Sequence, residues 1–163
     1  MKRYGTLTLA ALLAAALDTA VFSLHNFAGV RPFLMLAVAL AACVRLNVQS
    51  GIVIAFFGGL LLDAVCNTYL GLTAGCWLVS VSVFYLLTRR NQPKALLLWL
   101  FSALAAWVSA PIEWLYAFIG GAGYGGLLRI LTVALPSAVL TGLCVLPLSA
   151  LLRWAKKGHR DRI

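Results

Sequence analysis

The stretch FFGGLLLDAVCNTYLGLTAG, from Phe56 to Gly75, decides the fold class, because it is apolar almost throughout and yet contains Asp63. A carboxylate inside a bilayer is costly, so it needs a partner or a function there. Small residues precede Asp63 at a spacing of four, which places them on one face of a helix. Such a face lets two membrane helices approach closely. It consists of Gly51, Ala55, Gly59, Asp63 and Asn67.

The composition of the whole chain is that of a membrane protein. Of the 163 residues, 63% are hydrophobic and 10% are charged, whereas about a quarter of a soluble domain is charged. The net charge of +9 does not indicate nucleic acid, because the basic residues collect between apolar runs and at the termini. The chain has four cysteines, Cys43, Cys66, Cys76 and Cys144. They are interpreted as small buried hydrophobes, and we expect neither a metal nor a cofactor.

The apolar runs predict a single domain, 1–163, built as an all-α bundle of six transmembrane helices with both termini in the cytoplasm. This topology places eleven of the 13 basic residues in the cytoplasm and leaves only Arg31 and Arg129 outside, a strong positive-inside bias. If the two short runs do not cross, residues 32–66 form a re-entrant hairpin and four spans remain. The predicted spans are 5–24, 32–44, 51–66, 72–87, 95–119 and 127–152.

The two ends of the chain carry further predictions. The basic segment 153–163 is expected to be a cytoplasmic tail that lies on anionic lipids of the inner leaflet. The N-terminus also has features of a signal peptide, but Asp18 interrupts the usual cleavage region. A retained first span is therefore the favoured interpretation.

Three of the four acidic residues, Asp18, Asp63 and Glu113, lie inside predicted spans and towards the outer side. Each ends a face of small residues, so we expect the three to meet near the outer end of the bundle. The structural interpretation is that they pair with Arg31 and Arg129; in particular, Asp63 is predicted within salt-bridge or one-water reach of Arg31. The functional interpretation is that they line a cavity or take part in chemistry. Motifs of intramembrane proteases and metalloenzymes are missing from the sequence, so we expect no catalytic residues.

The segment from Arg31 to Arg90 resembles the MreD family of rod shape-determining proteins. The family pattern is an Arg-Pro pair, an apolar run, a glycine after a turn, a glycine-rich run ending in aspartate, and a Leu-Gly pair. The matching residues here are Arg31, Pro32, Gly51, Gly58, Gly59, Asp63, Leu70 and Gly71.

The resemblance implies a non-enzymatic scaffold in the bacterial inner membrane. Such a scaffold binds MreC, a single-span periplasmic protein, and works alongside MreB filaments, RodA and a class B penicillin-binding protein. It helps to control cell shape and lateral peptidoglycan synthesis. The candidate structural or partner-binding residues are the matching ones except Leu70, together with Asp18, Glu113 and Arg129.

The resemblance also implies a fold like that of the substrate-binding subunits of energy-coupling-factor transporters. This supplies the alternative function, a vitamin-binding transporter subunit in which the three outer acids bind a cationic ligand. Co-purification of a small molecule would favour that alternative, and co-purification of a single-span protein would favour the scaffold.

Overall fold

Helices account for nearly all of the chain that can be placed. The structure is a computed structural model that describes residues 13–14, 16–18, 30, 32–66, 70–89, 94–119 and 130–157. Residues 13–14 and 16–18 are helical, and a short π-helical turn, Ile130–Ala134, leads into the last helix. The longer helices are α1 (Leu34–Arg45), α2 (Val48–Cys66), α3 (Leu72–Thr88), α4 (Ala95–Ile119) and α5 (Leu135–Lys157).

The described residues contain no strand, which confirms the predicted all-α class. Within the described residues, three segments are long and apolar enough to cross a membrane: Val48–Val65, Ala95–Ile112 and Thr132–Arg153. The outward faces of these helices are also apolar, as expected for surfaces that meet lipid rather than water. Exposed side chains include Val53, Phe57, Leu61, Leu96, Leu104 and Leu143.

Helix α1 lies at the centre of the bundle. Its residues from Met35 to Ala42 are all buried, as expected for a helix that is hydrophobic on every side. Neighbours on several sides, namely α2, α3 and α5, pack against it. With 12 residues it is about 18 Å long, well short of the roughly 30 Å of a bilayer core.

The start of α1 is therefore inside the bundle. Helices α1 and α2 form an antiparallel hairpin, in which Met35 lies beside Gly58. Helix α2 continues from Gly58 to Cys66, about 12 Å beyond the level of Met35. The first backbone N–H groups of α1 thus lie among the other helices rather than at the end of the bundle.

The turn between α1 and α2 is shorter than the sequence suggested. The predicted spans 32–44 and 51–66 leave residues 45–50 between them, but α1 runs to Arg45 and α2 already begins at Val48. The Leu46 N–H still bonds to the Ala42 carbonyl, and the Gly51 N–H bonds to the Asn47 carbonyl. Backbone hydrogen bonding therefore resumes almost at once.

The face of small residues on α2 points into the bundle. Gly51, Ala55, Gly59 and Asp63 are all buried, while Phe56 and its neighbours on the other face are exposed. On α4 the equivalent buried face consists of Ser102, Ala105, Ala106 and Ser109.

Gly59 brings the backbones of α2 and α3 together. A Cβ at this position would overlap the Ala74 Cα and lie 2.6 Å from the Ala74 backbone nitrogen. Because these are backbone atoms, rotation of a side chain cannot make room. A glycine is thus required for the observed spacing of the two helices.

Some parts of the predicted layout lie only partly within the described residues. Helix α5 runs on to Lys157, so the first residues of the predicted tail are helical. Residues 158–163 of that tail, residues 120–129 and most of the predicted first span lie outside the described residues.

Candidate functional site

The start of α1 depends on a side chain from another part of the chain. The first N–H groups of a helix have no acceptor within it, and the N-cap residue, Phe33, provides no capping side chain. Asp18 provides both acceptors: the Leu34 N–H donates to Oδ1 at 3.0 Å and the Met35 N–H donates to Oδ2 at 2.9 Å. Asp18 therefore caps a helix that begins sixteen residues later in the chain.

A third acceptor at the same place comes from α5. The Phe33 N–H donates to the Thr141 Oγ1 at 3.0 Å, and the Thr141 hydroxyl donates to the Ser137 carbonyl at 2.7 Å. Thr141 is completely buried. Its hydroxyl accepts one bond and donates another, so it links the start of α1 to α5.

The start of α3 is capped in the same way by Asp63. The Gly71 N–H donates to the Asp63 Oδ2 at 2.9 Å, and the Thr73 N–H lies 3.3 Å from Oδ1 and 3.2 Å from Oδ2. Gly71 is the N-cap and has a φ of 96°, a left-handed conformation that glycine adopts without steric cost. The Asp63 side chain is only 1% exposed.

These contacts explain why the buried Asp63 carboxylate and the partly buried Asp18 carboxylate are tolerated where they lie. The N-terminus of a helix carries a partial positive charge, so a negative side chain is favourable there. The backbone N–H groups also need acceptors wherever water does not reach them. Asp18 and Asp63 meet both needs, and their role in the described structure is to fix where two short helices begin.

The structure places the other predicted residues as follows. Gly51 lies against Cys43 and the Ala39 carbonyl oxygen, and Gly58 lies against the Met35 side chain. Pro32 is half-buried just before α1. The remaining predictions, including the Asp63–Arg31 pair, involve parts outside the described residues: Arg31, Arg129 and the side chain of Glu113.

Of the three acids that we expected to meet, the side chains of Asp18 and Asp63 are described, and each binds the start of a helix. Asp18 binds the start of α1 and Asp63 binds the start of α3, and these two helices are in contact. The sequence did not indicate Thr141 as a third member of this region. A hydroxyl within an apolar run can indicate a contact with another helix. The indication is weak, because such hydroxyls usually bond within their own helix.

Replacing Thr141 with valine should destabilise the chain by about 1 kcal/mol, since the change removes the acceptor for the Phe33 N–H at almost constant volume. Thr88→Val is the matched control, because the Thr88 hydroxyl bonds only to carbonyl oxygens of α3 itself. Thermal unfolding in detergent measures both variants. Equal losses of stability in the two variants would show that the hydrogen bond from α5 to the Phe33 N–H adds no stability.

The carboxylate oxygens of Asp18 and Asp63 both accept backbone N–H groups at the start of a helix. The described residues include no group of three His, Cys, Asp or Glu side chains that could hold a metal ion. Buried hydroxyls such as those of Ser80 and Ser102 donate to carbonyl oxygens of their own helices. In comparisons with known proteins, no family model, no curated protein and no solved structure matches the chain.

Proposed function

We propose that the chain is a non-enzymatic scaffold of the MreD type in the inner membrane of a bacterium. In this role it binds MreC and helps to control cell shape and lateral peptidoglycan synthesis, in the same assembly as MreB, RodA and a class B penicillin-binding protein. The proposal combines the resemblance between Arg31 and Arg90 with the membrane character of the helices.

One observation supports this proposal most. Five of the seven residues that carry the resemblance and are described in the structure serve the packing of consecutive helices. Gly51 and Gly58 lie in the contact of α2 with α1, and Gly59 lies in its contact with α3. Asp63 and Gly71 form the cap of α3. A pattern that specifies packing is what a scaffold needs, since its function is to present a fixed surface.

The proposed topology has six spans and both termini in the cytoplasm. Helix α2 supports it, because its Val48–Val65 segment is long and apolar enough to cross by itself. In a re-entrant hairpin over residues 32–66, α2 would instead be the returning arm and would not cross the membrane. The short α1 is compatible with a crossing, because it is surrounded by other helices and does not have to match the thickness of the bilayer.

The alternative, a vitamin-binding transporter subunit, requires carboxylates that are directed at a ligand. The oxygens of both Asp18 and Asp63 accept backbone N–H groups. This use of the two acids favours the scaffold.

Reporter fusions provide a test of the topology. Fusions after Arg90 and after Arg162 should report the cytoplasm, and fusions at Tyr69 and Gly123 should report the periplasm, because the charge distribution requires it. A cytoplasmic signal at Tyr69 would contradict the six-span topology and leave the re-entrant hairpin.

Affinity purification from the native membrane tests the function. The tagged chain should co-purify with a single-span protein that has a periplasmic domain, and depletion of the chain should turn rod-shaped cells round. The Gly59→Ala variant should lose the partner, whereas Gly75→Ala, at an exposed position of α3 with open space around it, should retain it. A bound small molecule without a protein partner would favour the transporter alternative.

A further inference from the structure

An arginine whose Nε has no hydrogen-bond partner among the described residues lies at the opposite end of α1 from Asp18. Arg45 is the last residue of α1 and is partly buried. Its Nε is buried and finds no hydrogen-bond partner among the described residues. A buried donor without an acceptor is unfavourable by more than a typical hydrogen bond contributes, and the more so when the group is charged.

A second arginine makes this position still less favourable. The charge of Arg153, on α5, acts on Arg45 by electrostatic repulsion. The two helices run parallel, because Phe33 and Thr141 are in contact at one end and each arginine follows twelve residues later. Twelve residues of helix span about 18 Å, so the two arginines reach the same level.

The described carboxylates do not neutralise this pair of arginines. Asp18 binds the opposite end of α1, and Asp63 lies near the end of α2 that is remote from the α1–α2 turn. Among the described side chains, the region where α1 and α5 end therefore has positive charge and no carboxylate.

We propose that Arg45 and Arg153 together bind the phosphate of an anionic lipid headgroup. A guanidinium group offers several N–H donors in a fixed plane that matches the oxygens of a phosphate. Basic pockets between helices at the cytoplasmic surface are suited to anionic headgroups. This site does not depend on the proposed scaffold function, because it uses neither the glycines nor the acids of the resemblance.

Native mass spectrometry of the full chain, released from mixed micelles of phosphatidylglycerol and phosphatidylcholine, tests the site. The wild-type chain should retain phosphatidylglycerol in preference to phosphatidylcholine, and Arg153→Gln should lower the retained phosphatidylglycerol about tenfold. Arg153 is exposed, so this variant should fold. Arg45→Lys retains the charge at the partly buried position but loses the planar donor group, and it should also lower retention.

Arg89→Gln is the matched control, because Arg89 is exposed at the end of α3 and the change removes the same charge. It should leave the retained lipid unchanged. Equal losses in the Arg89 and Arg153 variants, or no loss in the Arg153 variant, would overturn the proposal. A second measurement repeats the experiment with millimolar inorganic phosphate in the micelles. If phosphate displaces the lipid completely, the occupant is free phosphate and the lipid assignment is wrong.

Discussion

Replacing Gly59 with alanine is expected to destabilise the chain by about 3 kcal/mol, the upper end of the range for an overpacked core. The added Cβ would overlap backbone atoms of Ala74, so α2 and α3 would have to move apart. That movement would also pull the Asp63 carboxylate away from the Gly71 and Thr73 N–H groups. Thermal unfolding in detergent, together with the amount of folded protein in the membrane, measures the effect.

Gly75→Ala is the control for this prediction, because a Cβ at Gly75 meets nothing within 4 Å. The two glycines lie on different helices but the chemical change is the same. Since alanine favours helix over glycine by about 1 kcal/mol, the Gly75 variant should be as stable as the wild type or more stable. If Gly59→Ala is equally harmless, the close approach of α2 and α3 at Ala74 is contradicted.

Replacing Asp63 with leucine is expected to cost about 2–6 kcal/mol, because two backbone donors lose their acceptor and each such loss costs about 1–3 kcal/mol. Asp63→Asn keeps one acceptor oxygen but loses the charge that favours the start of α3, so its loss should be intermediate. Ala64→Leu adds the same side chain one position along on an exposed face and should change stability little. A leucine variant as stable as this control would contradict the capping role.

The predicted pair of Asp63 with Arg31 adds a second test at the same position. Removal of one member of a buried ion pair leaves an uncompensated charge, which is worse than removal of both. If the pair exists, Asp63→Ala combined with Arg31→Ala should recover part of the loss of the single variants. If the losses simply add, the backbone N–H groups account for the Asp63 side chain by themselves.

The periodicity of the sequence was enough to predict which face of α2 is buried. Gly51, Ala55, Gly59 and Asp63 share a spacing of four, and all four lie in the interior. Small residues in an apolar run have little use on a face that meets lipid, so spacing and composition together indicate helix packing. The apolar composition likewise predicted helices that can cross a membrane.

The partners of the acids could not be predicted in the same way. Sequence reasoning looks for an opposite charge, and the candidates were Arg31 and Arg129. Backbone N–H groups occur at every residue except proline, so nothing in the composition distinguishes the four that bind Asp18 and Asp63. The distinguishing fact is where α1 and α3 begin relative to their neighbours, which depends on how the helices are staggered.

One clue to the cap of α3 was present in the sequence. Gly71 follows a turn and precedes a helix, and a glycine in that position often adopts a left-handed conformation. An aspartate eight residues earlier, at the end of the preceding helix, is within reach of such a turn. The cap of α1 offered no similar clue, because Asp18 lies sixteen residues before Leu34.

The central claim is that the Asp18 and Asp63 carboxylates hold the starts of two short helices, and one solid-state NMR measurement tests it directly at Asp18. The chain contains two methionines, so labelling methionine with ¹⁵N and the aspartate side chain with ¹³Cγ reports the Met35–Asp18 distance in bilayers. A hydrogen bond of 2.9 Å between nitrogen and oxygen predicts a nitrogen–carbon distance of about 4 Å and a measurable dipolar coupling. Absence of that coupling would place the carboxylate beyond hydrogen-bond range of α1 and contradict the claim.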